Sequence, residues 1–274
     1  MPSTEPLKLS KHVSSIPGWF SYQDQFVFDM LLKYQKSNGI QGNLLEIGVY
    51  LGKSAIVLGA FKNSNEEVVV CDLFQGVSNS TDNDIENFSS YSDLTRSAFE
   101  ENYQRCTGDL PRILDGSSLN LWKEFPNHRF RFIHIDGSHL YEFVKSDLNF
   151  AIETVISEGG IIVMDDFRAQ HTLGVSIALW EAVLAKKLKP IIFSAAKVYL
   201  APFNDVTLDL RVLHKELSQG GYDLESLDVL PNKAIRIMGL SDSDLYNQNS
   251  KLTWWVPPVL LPKVRKILSF FGRG

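Results

Sequence analysis

The sequence predicts an α/β protein built on a doubly wound, mostly parallel sheet of seven strands with helices on both faces. Three observations carry this. Short apolar runs alternate with segments of helical period along most of the chain. The runs are apolar throughout rather than alternating, as strands buried on both faces are. The length, 274 residues, suits one large domain with extensions.

In order, residues 1–18 form an arm ending in Ile16-Pro17-Gly18, residues 19–240 the domain, and residues 241–274 a C-terminal extension. Phe26, Met30, Leu31 and Tyr34 recur at helical spacing over residues 19–35, and Asn38-Gly39 stops that helix. Strand one covers residues 44–47, a helix residues 54–61, and strand two residues 68–72. Residues 75–95 are polar with few apolar anchors and read as a long loop, a length that in compact domains goes with function or disorder. Residues 94–103 are helical, 112–114 the third strand, 119–125 a short helix and 131–136 the fourth strand. Leu140, Val144, Leu148, Ala151, Ile152 and Val155 form one face of a helix over 140–156, with Gly159-Gly160 as its C-cap. Residues 161–164, 191–200 and 234–239 complete the strands, with a helix over 175–188.

Composition is that of an ordinary soluble globular protein, 44% hydrophobic and 22% charged, and supports a sizeable core. The net charge of −5 argues against general nucleic-acid binding, which needs a basic surface. Two cysteines, Cys71 and Cys106, imply no disulfide framework. The polar start and the lack of an apolar run near the ~20 residues of a membrane span point to a cytoplasmic protein.

The informative residues fall where strands end, the ligand edge of an open parallel sheet. Gly48 and Gly52 follow the first strand, where glycine permits a tight turn and close approach to a ligand. Asp72 closes the second strand, placed to accept ribose hydroxyls, and Gly116-Ser117-Ser118 follows the third, placed to flank an adenine. A dinucleotide site would need glycine where Tyr50 stands in Gly48-Val49-Tyr50-Leu51-Gly52. A nucleoside cofactor without phosphates tolerates that side chain.

The stretch Glu46-Ile47-Gly48-Val49-Tyr50-Leu51-Gly52-Lys53-Ser54 resembles the first motif of class I methyltransferases, which use S-adenosylmethionine on a Rossmann-like fold. It is especially similar to catechol O-methyltransferases, where a tyrosine also sits mid-loop. Asp136-Gly137-Ser138-His139-Leu140-Tyr141-Glu142, Gly159-Gly160 and Asp165-Asp166-Phe167 resemble metal-dependent O-methyltransferases acting on sugars of natural products. The resemblance covers about residues 40–200. It implies that Glu46, Gly48, Tyr50, Gly52, Ser54, Asp72, Ser117 and Asp136 surround the cofactor.

Asp136, Asp165 and Asp166 stand at neighbouring strand ends. Crowded carboxylates raise one another's pKa unless a cation intervenes, and a hard divalent ion such as Mg²⁺ suits such oxygen donors. His139 lies three residues after Asp136, where the catechol enzymes carry a basic lysine and some sugar enzymes a histidine. By that match it is the general base, with an unperturbed pKa of about 6.5. The acceptor is then a hydroxyl of a sugar, a glycan or another small molecule; a catechol-like phenol is the nearest alternative, and a nucleotide- or dinucleotide-binding protein the alternative of another class.

His134, inside a strand, reads as a satisfied core histidine, and His171 as a residue within reach of the substrate. Trp19, Phe20 and Tyr22 are candidates for a lid, although core packing is the simpler role for the larger rings and for Trp180. Residues 75–95 are the candidate substrate gate. Lys263, Arg265 and Lys266 interleave with apolar residues in a basic terminal helix. It would dock on the domain or on a second copy of the chain, with a membrane surface as the lesser alternative.

Overall fold

The computed structural model describes residue 13 and residues 15–76, 94–229 and 232–238. Strands in chain order are β1 (Asn43–Ile47), β2 (Val68–Asp72), β3 (Arg112–Asp115), β4 (Phe130–Ile135), β5 (Ile161–Met164), β6 (Leu188–Phe193), β7 (Val198–Pro202), β8 (Asp223–Val229) and β9 (Asn232–Met238). Helices are α1 (Tyr22–Ser37), α2 (Lys53–Ala60), α3 (Arg96–Thr107), α4 (Leu121–Glu124), α5 (Tyr141–Thr154), α6 (Leu173–Leu184) and α7 (Leu210–Gln219). The strands form one sheet in the order β3-β2-β1-β4-β5-β7-β6-β9-β8.

The first five strands are parallel. β7 runs antiparallel between β5 and β6, β9 adds parallel to β6, and β8 adds antiparallel to β9. The α/β, mostly parallel character matches expectation, but among the described residues the sheet has nine strands rather than seven. Residues 191–200, read as one strand, are the facing parts of β6 and β7. Their turn uses neither glycine nor proline: Ser194 Oγ accepts the Lys197 N–H at 2.9 Å, a side-chain substitute for turn backbone. β8 gave no signal because Asp223, Glu225 and Asp228 lie along it, and acids are depleted in strands.

Two apolar layers sandwich the sheet. α1, α2, α3 and α7 pack on the face carrying Leu44, Val70, Phe132 and Val163. α4, α5 and α6 pack on the face carrying Leu45, Val69, Ile133 and Ile162. The alternation of neighbours between layers is the strand period of two, and it explains why both faces had to be apolar.

Helix ends follow local chemistry. Ser21 caps α1 by accepting the Asp24 N–H at 3.0 Å, so α1 begins after Trp19 and Phe20 rather than with them. Thr95 caps α3, and Gly108, at φ +87°, ends it. α5 stops earlier than its apolar period suggests. Val155 turns extended to bridge Phe130, and Gly159-Gly160 turns the chain into β5 instead of capping the helix.

One buried ion pair ties the far edge of the sheet together. Arg131 holds both oxygens of Glu66, each at 2.9 Å, and reaches Gln35 Oε1 and the Phe61 carbonyl, each at 2.8 Å. Four of its five N–H groups are thus paired within the protein.

Candidate active site

The sheet order reverses at β1, from which the chain steps to β2 and β3 on one side and to β4 and β5 on the other. Ligands bind beyond the strand ends at such a point. The Gly48–Gly52 turn lies there, but its glycines answer to the protein's own packing. Gly48 is at φ +80°, and a Cβ on it would strike the Asp136 carbonyl. Gly48 N–H donates to the Cys71 carbonyl and Asp136 N–H to the Ile47 carbonyl, both at 2.8 Å, so the end of β1 is stitched to β2 on one side and to the end of β4 on the other. Gly52, at φ +90°, leaves only 3.0 Å between a built Cβ and Phe99. Tyr50 also lies at positive φ, 46°, and its ring meets Trp19 at 5.4 Å.

Asp72 braces this turn. One oxygen accepts Val49 N–H at 2.7 Å and Tyr50 N–H at 3.3 Å, and the other accepts Phe74 N–H at 2.7 Å. A carboxylate offers about four acceptor sites, so roughly one remains for a ribose hydroxyl. Burial pushes the Asp72 pKa up, against these backbone donors. Gly116 follows β3 and donates to the Asp72 carbonyl at 2.8 Å; a Cβ on it would meet nothing within 4 Å among the described residues. Ser117 Oγ accepts Leu119 N–H at 3.3 Å and caps the short turn that follows.

Glu46 and Ser54, expected at the cofactor, face each other in the interior. Glu46 is fully buried, and its Oε1 accepts from Ser54 Oγ and lies 2.8 Å from His134 Nδ1. His134 Nε2 in turn lies 3.0 Å from Lys197 Nζ. A lysine can only donate, so Nε2 accepts and the imidazole hydrogen sits on Nδ1, donated to Glu46. Burial and the Lys197 charge hold His134 well below its ordinary pKa, so it is neutral and its 3.9 Å approach to Asp136 is no ion pair. Burial pushes Glu46 up to about 8, against Ser54 and Lys197, so it carries a proton at neutral pH. His134 is thus the satisfied core histidine the sequence suggests.

The three strand-end carboxylates do not act alike. Asp165 is turned inwards: its Oδ2 accepts from Lys197 and its Oδ1 from the Asp166 N–H at 2.8 Å. Asp136 Oδ2 lies 3.6 Å from the same ammonium, and the Asp136 side chain keeps 30% of its surface exposed. Burial and the neighbouring Asp165 push Asp136 well above the usual carboxylate range. Asp166, at φ +54°, turns the other way and meets His139 Nε2 at 3.2 Å. Burial opposes the charge on Asp166, but His139 prevails and lowers its pKa. His171 stands with its ring 6.0 Å from that of His139.

Lys197 escaped the sequence reading. Its one trace there is a charge set directly before the apolar run of β7. Burial would lower its pKa, but Asp165, Asp136 and Asp24 together raise it. Asp24, also missed, is buried on α1 and accepts from Tyr199 at 2.8 Å. Phe20 is buried as expected, whereas Trp19 is 54% and Trp180 37% exposed, so neither tryptophan is a core residue. Lys53 donates to the Gly18 carbonyl at 3.1 Å, so the segment before α1 lies over the glycine turn. Burial brings the Lys53 pKa down to about 8. Most of the candidate gate at 75–95, most of the arm at 1–18 and all of the extension at 241–274 lie outside the described residues.

Residues 45–167 match the family described as a methyltransferase domain. Among solved structures, the O-methyltransferase NovP superposes with a TM-score of 0.57 at 19% identity, over 66% of this chain and 79% of NovP. A candidate O-methyltransferase from Klebsiella pneumoniae superposes with a TM-score of 0.50 at 13% identity, over 74% of this chain and 91% of its own. At these identities the likeness is one of fold. No curated protein sequence matches the chain.

Proposed function

We propose that this chain, whose residues 45–167 match the methyltransferase-domain family, is a class I, S-adenosylmethionine-dependent methyltransferase that methylates a hydroxyl of a sugar or other small molecule, with His139 as general base. The observation that carries this reading is the His139–Asp166 pair at 3.2 Å, next to Asp136 and Asp165 and one strand from the glycine turn.

S-adenosylmethionine would supply a methyl group on a sulfonium. The remaining acceptor site of Asp72 suits its adenosine, flanked by Gly48, Tyr50, Gly52, Ser117 and Asp136. Glu46 and Ser54 serve from beneath, by fixing the end of β1 against α2. The acidic group Asp136, Asp165 and Asp166 suits Mg²⁺: its donors are oxygens, and three carboxylates against one ammonium leave negative charge to offset. Mg²⁺ there would supply Lewis acidity toward the acceptor hydroxyl.

The chain's own residues do the rest. His139 meets Asp166 Oδ2 through Nε2, which orients the imidazole. A hydroxyl proton moves to the imidazole, and the Asp166 carboxylate stabilises the imidazolium that forms. The freed oxyanion would then be placed to take the methyl group in line, the C–S bond breaking as the C–O bond forms and S-adenosylhomocysteine leaving as the neutral thioether.

Methyl transfer from labelled cofactor to a panel of sugars, glycans and phenols tests the reading. His139→Ala should cut turnover by about 10²–10⁴-fold while S-adenosylhomocysteine still raises the melting temperature. Full activity of that variant removes His139 from the mechanism, and full activity in EDTA removes the metal. Stabilisation by NAD rather than S-adenosylhomocysteine would favour a dinucleotide site instead.

A further inference from the structure

We propose that Lys197 is the resident cation of the acidic centre, and that it withdraws Asp165 from metal ligation, leaving Asp136 and Asp166 as the carboxylates a divalent ion can use. The inference rests on the metal-assisted reading above and divides the labour within it.

Three donor atoms, on His134, Asp136 and Asp165, lie within 4.8 Å of one another and have the make-up of a metal site. The Lys197 ammonium stands among them. It contacts Asp165 Oδ2, lies 3.0 Å from His134 Nε2 and 3.6 Å from Asp136 Oδ2, and has the Phe20 ring 5.7 Å away. Its side chain is 1% exposed. Mg²⁺ needs oxygens at about 2.1 Å in near-ideal octahedral array, whereas an ammonium holds them at about 2.8 Å. One hollow cannot take both.

The remaining contacts point the same way. His134 has both ring nitrogens occupied, by Glu46 and by Lys197. Asp165 has one oxygen on the ammonium and the other on the Asp166 N–H. Asp136 is open to solvent at 30%, and Asp166 at 32% uses Oδ2 for His139. Asp136 and Asp166 are therefore the two carboxylates left for a divalent ion, with the buried lysine as a fixed counter-charge.

Mn²⁺ binding, read by electron paramagnetic resonance on the full chain, tests this. Lys197→Met should free Asp165 as a third carboxylate and tighten Mn²⁺ at least tenfold, with a Mn²⁺-dependent rise in melting temperature larger than in wild type. The paired variant Lys197→Met/Asp165→Asn removes both members of the buried pair and should return the affinity to within threefold of wild type. A folded Lys197→Met protein that binds no tighter overturns the proposal. So does a paired variant tenfold weaker than wild type, because Asp165 would then be a ligand. If Lys197→Met does not fold, the paired variant decides alone. Mn²⁺ binding by Lys197→Met but not by wild type upholds the resident cation and rejects the metal-assisted reaction. Absence of binding in both rejects the two together. S-adenosylhomocysteine thermal shift, run in parallel, reports on the methyltransferase reading independently of any metal.

Discussion

Replacing Glu46 with glutamine isolates the effect of a buried proton on stability. Burial raises Glu46 from 4.5 to about 8, a rise of roughly three and a half units at about 1.4 kcal/mol each. The sign is opposite to that of a salt-bridged carboxylate. Between these two values the folded protein holds a proton that the unfolded chain releases, so stability falls as pH rises from about 4.5 to about 8 and then levels off. The full loss is on the order of 5 kcal/mol. Glutamine keeps the acceptor for Ser54 and His134 and cannot ionise. It places an amide where Glu46 Oε2 already has no partner, which adds a cost of about 1–3 kcal/mol that does not vary with pH. Urea unfolding of both proteins at pH 4 to 9 should show the variant gaining on wild type steadily through this window. Parallel curves would refute the assignment of a protonated Glu46.

Three further outcomes follow from the geometry. Arg131→Met leaves Glu66 buried without its partner and should cost about 3–5 kcal/mol in urea unfolding; a loss under 1 kcal/mol would mean that Glu66 relaxes to solvent. Gly48→Ala meets positive φ, costing about 1–2 kcal/mol, and a collision with the Asp136 carbonyl, so melting temperature and turnover should fall together. Unchanged turnover would show that Asp136 is not held by this contact. Asp72→Ala frees three backbone N–H groups, and calorimetry should show S-adenosylhomocysteine binding at least tenfold weaker; unaltered affinity would take Asp72 out of the cofactor site.

The parallel half of the sheet was legible because each strand is a short apolar run ended by glycine, aspartate or a polar loop. β6 and β7 merged because Ser194 makes their turn with its side chain, and β8 was hidden by its acids. The same limit divides the site. Asp136, His139, Asp165 and Asp166 are visible as strand-end residues, since adjacency along the chain places them. Which way each carboxylate faces depends on the positive φ of Asp166 and on Lys197, 32 residues beyond Asp165. Glycines at 48 and 52 were readable as a turn, but their cause lies in contacts with Asp136 and Phe99 that only the folded chain brings together.

Extending the sheet with β9 and β8 moves its open border away from β6. A border strand offers unpaired amides to any other strand, and proteins guard against this with short edges and charge. Among the described residues, one border is β3, four residues long with Arg112 and Asp115 at its ends. The other is β8, where Asp223, Glu225 and Asp228 project into solvent, Glu225 and Asp228 also engaging Arg236 and Lys233 of β9. A like strand approaching β8 would bring acid against acid. Exchanging these three acids for threonines would keep the hairpin but remove that repulsion, and self-association along β8 is where solubility would then be lost.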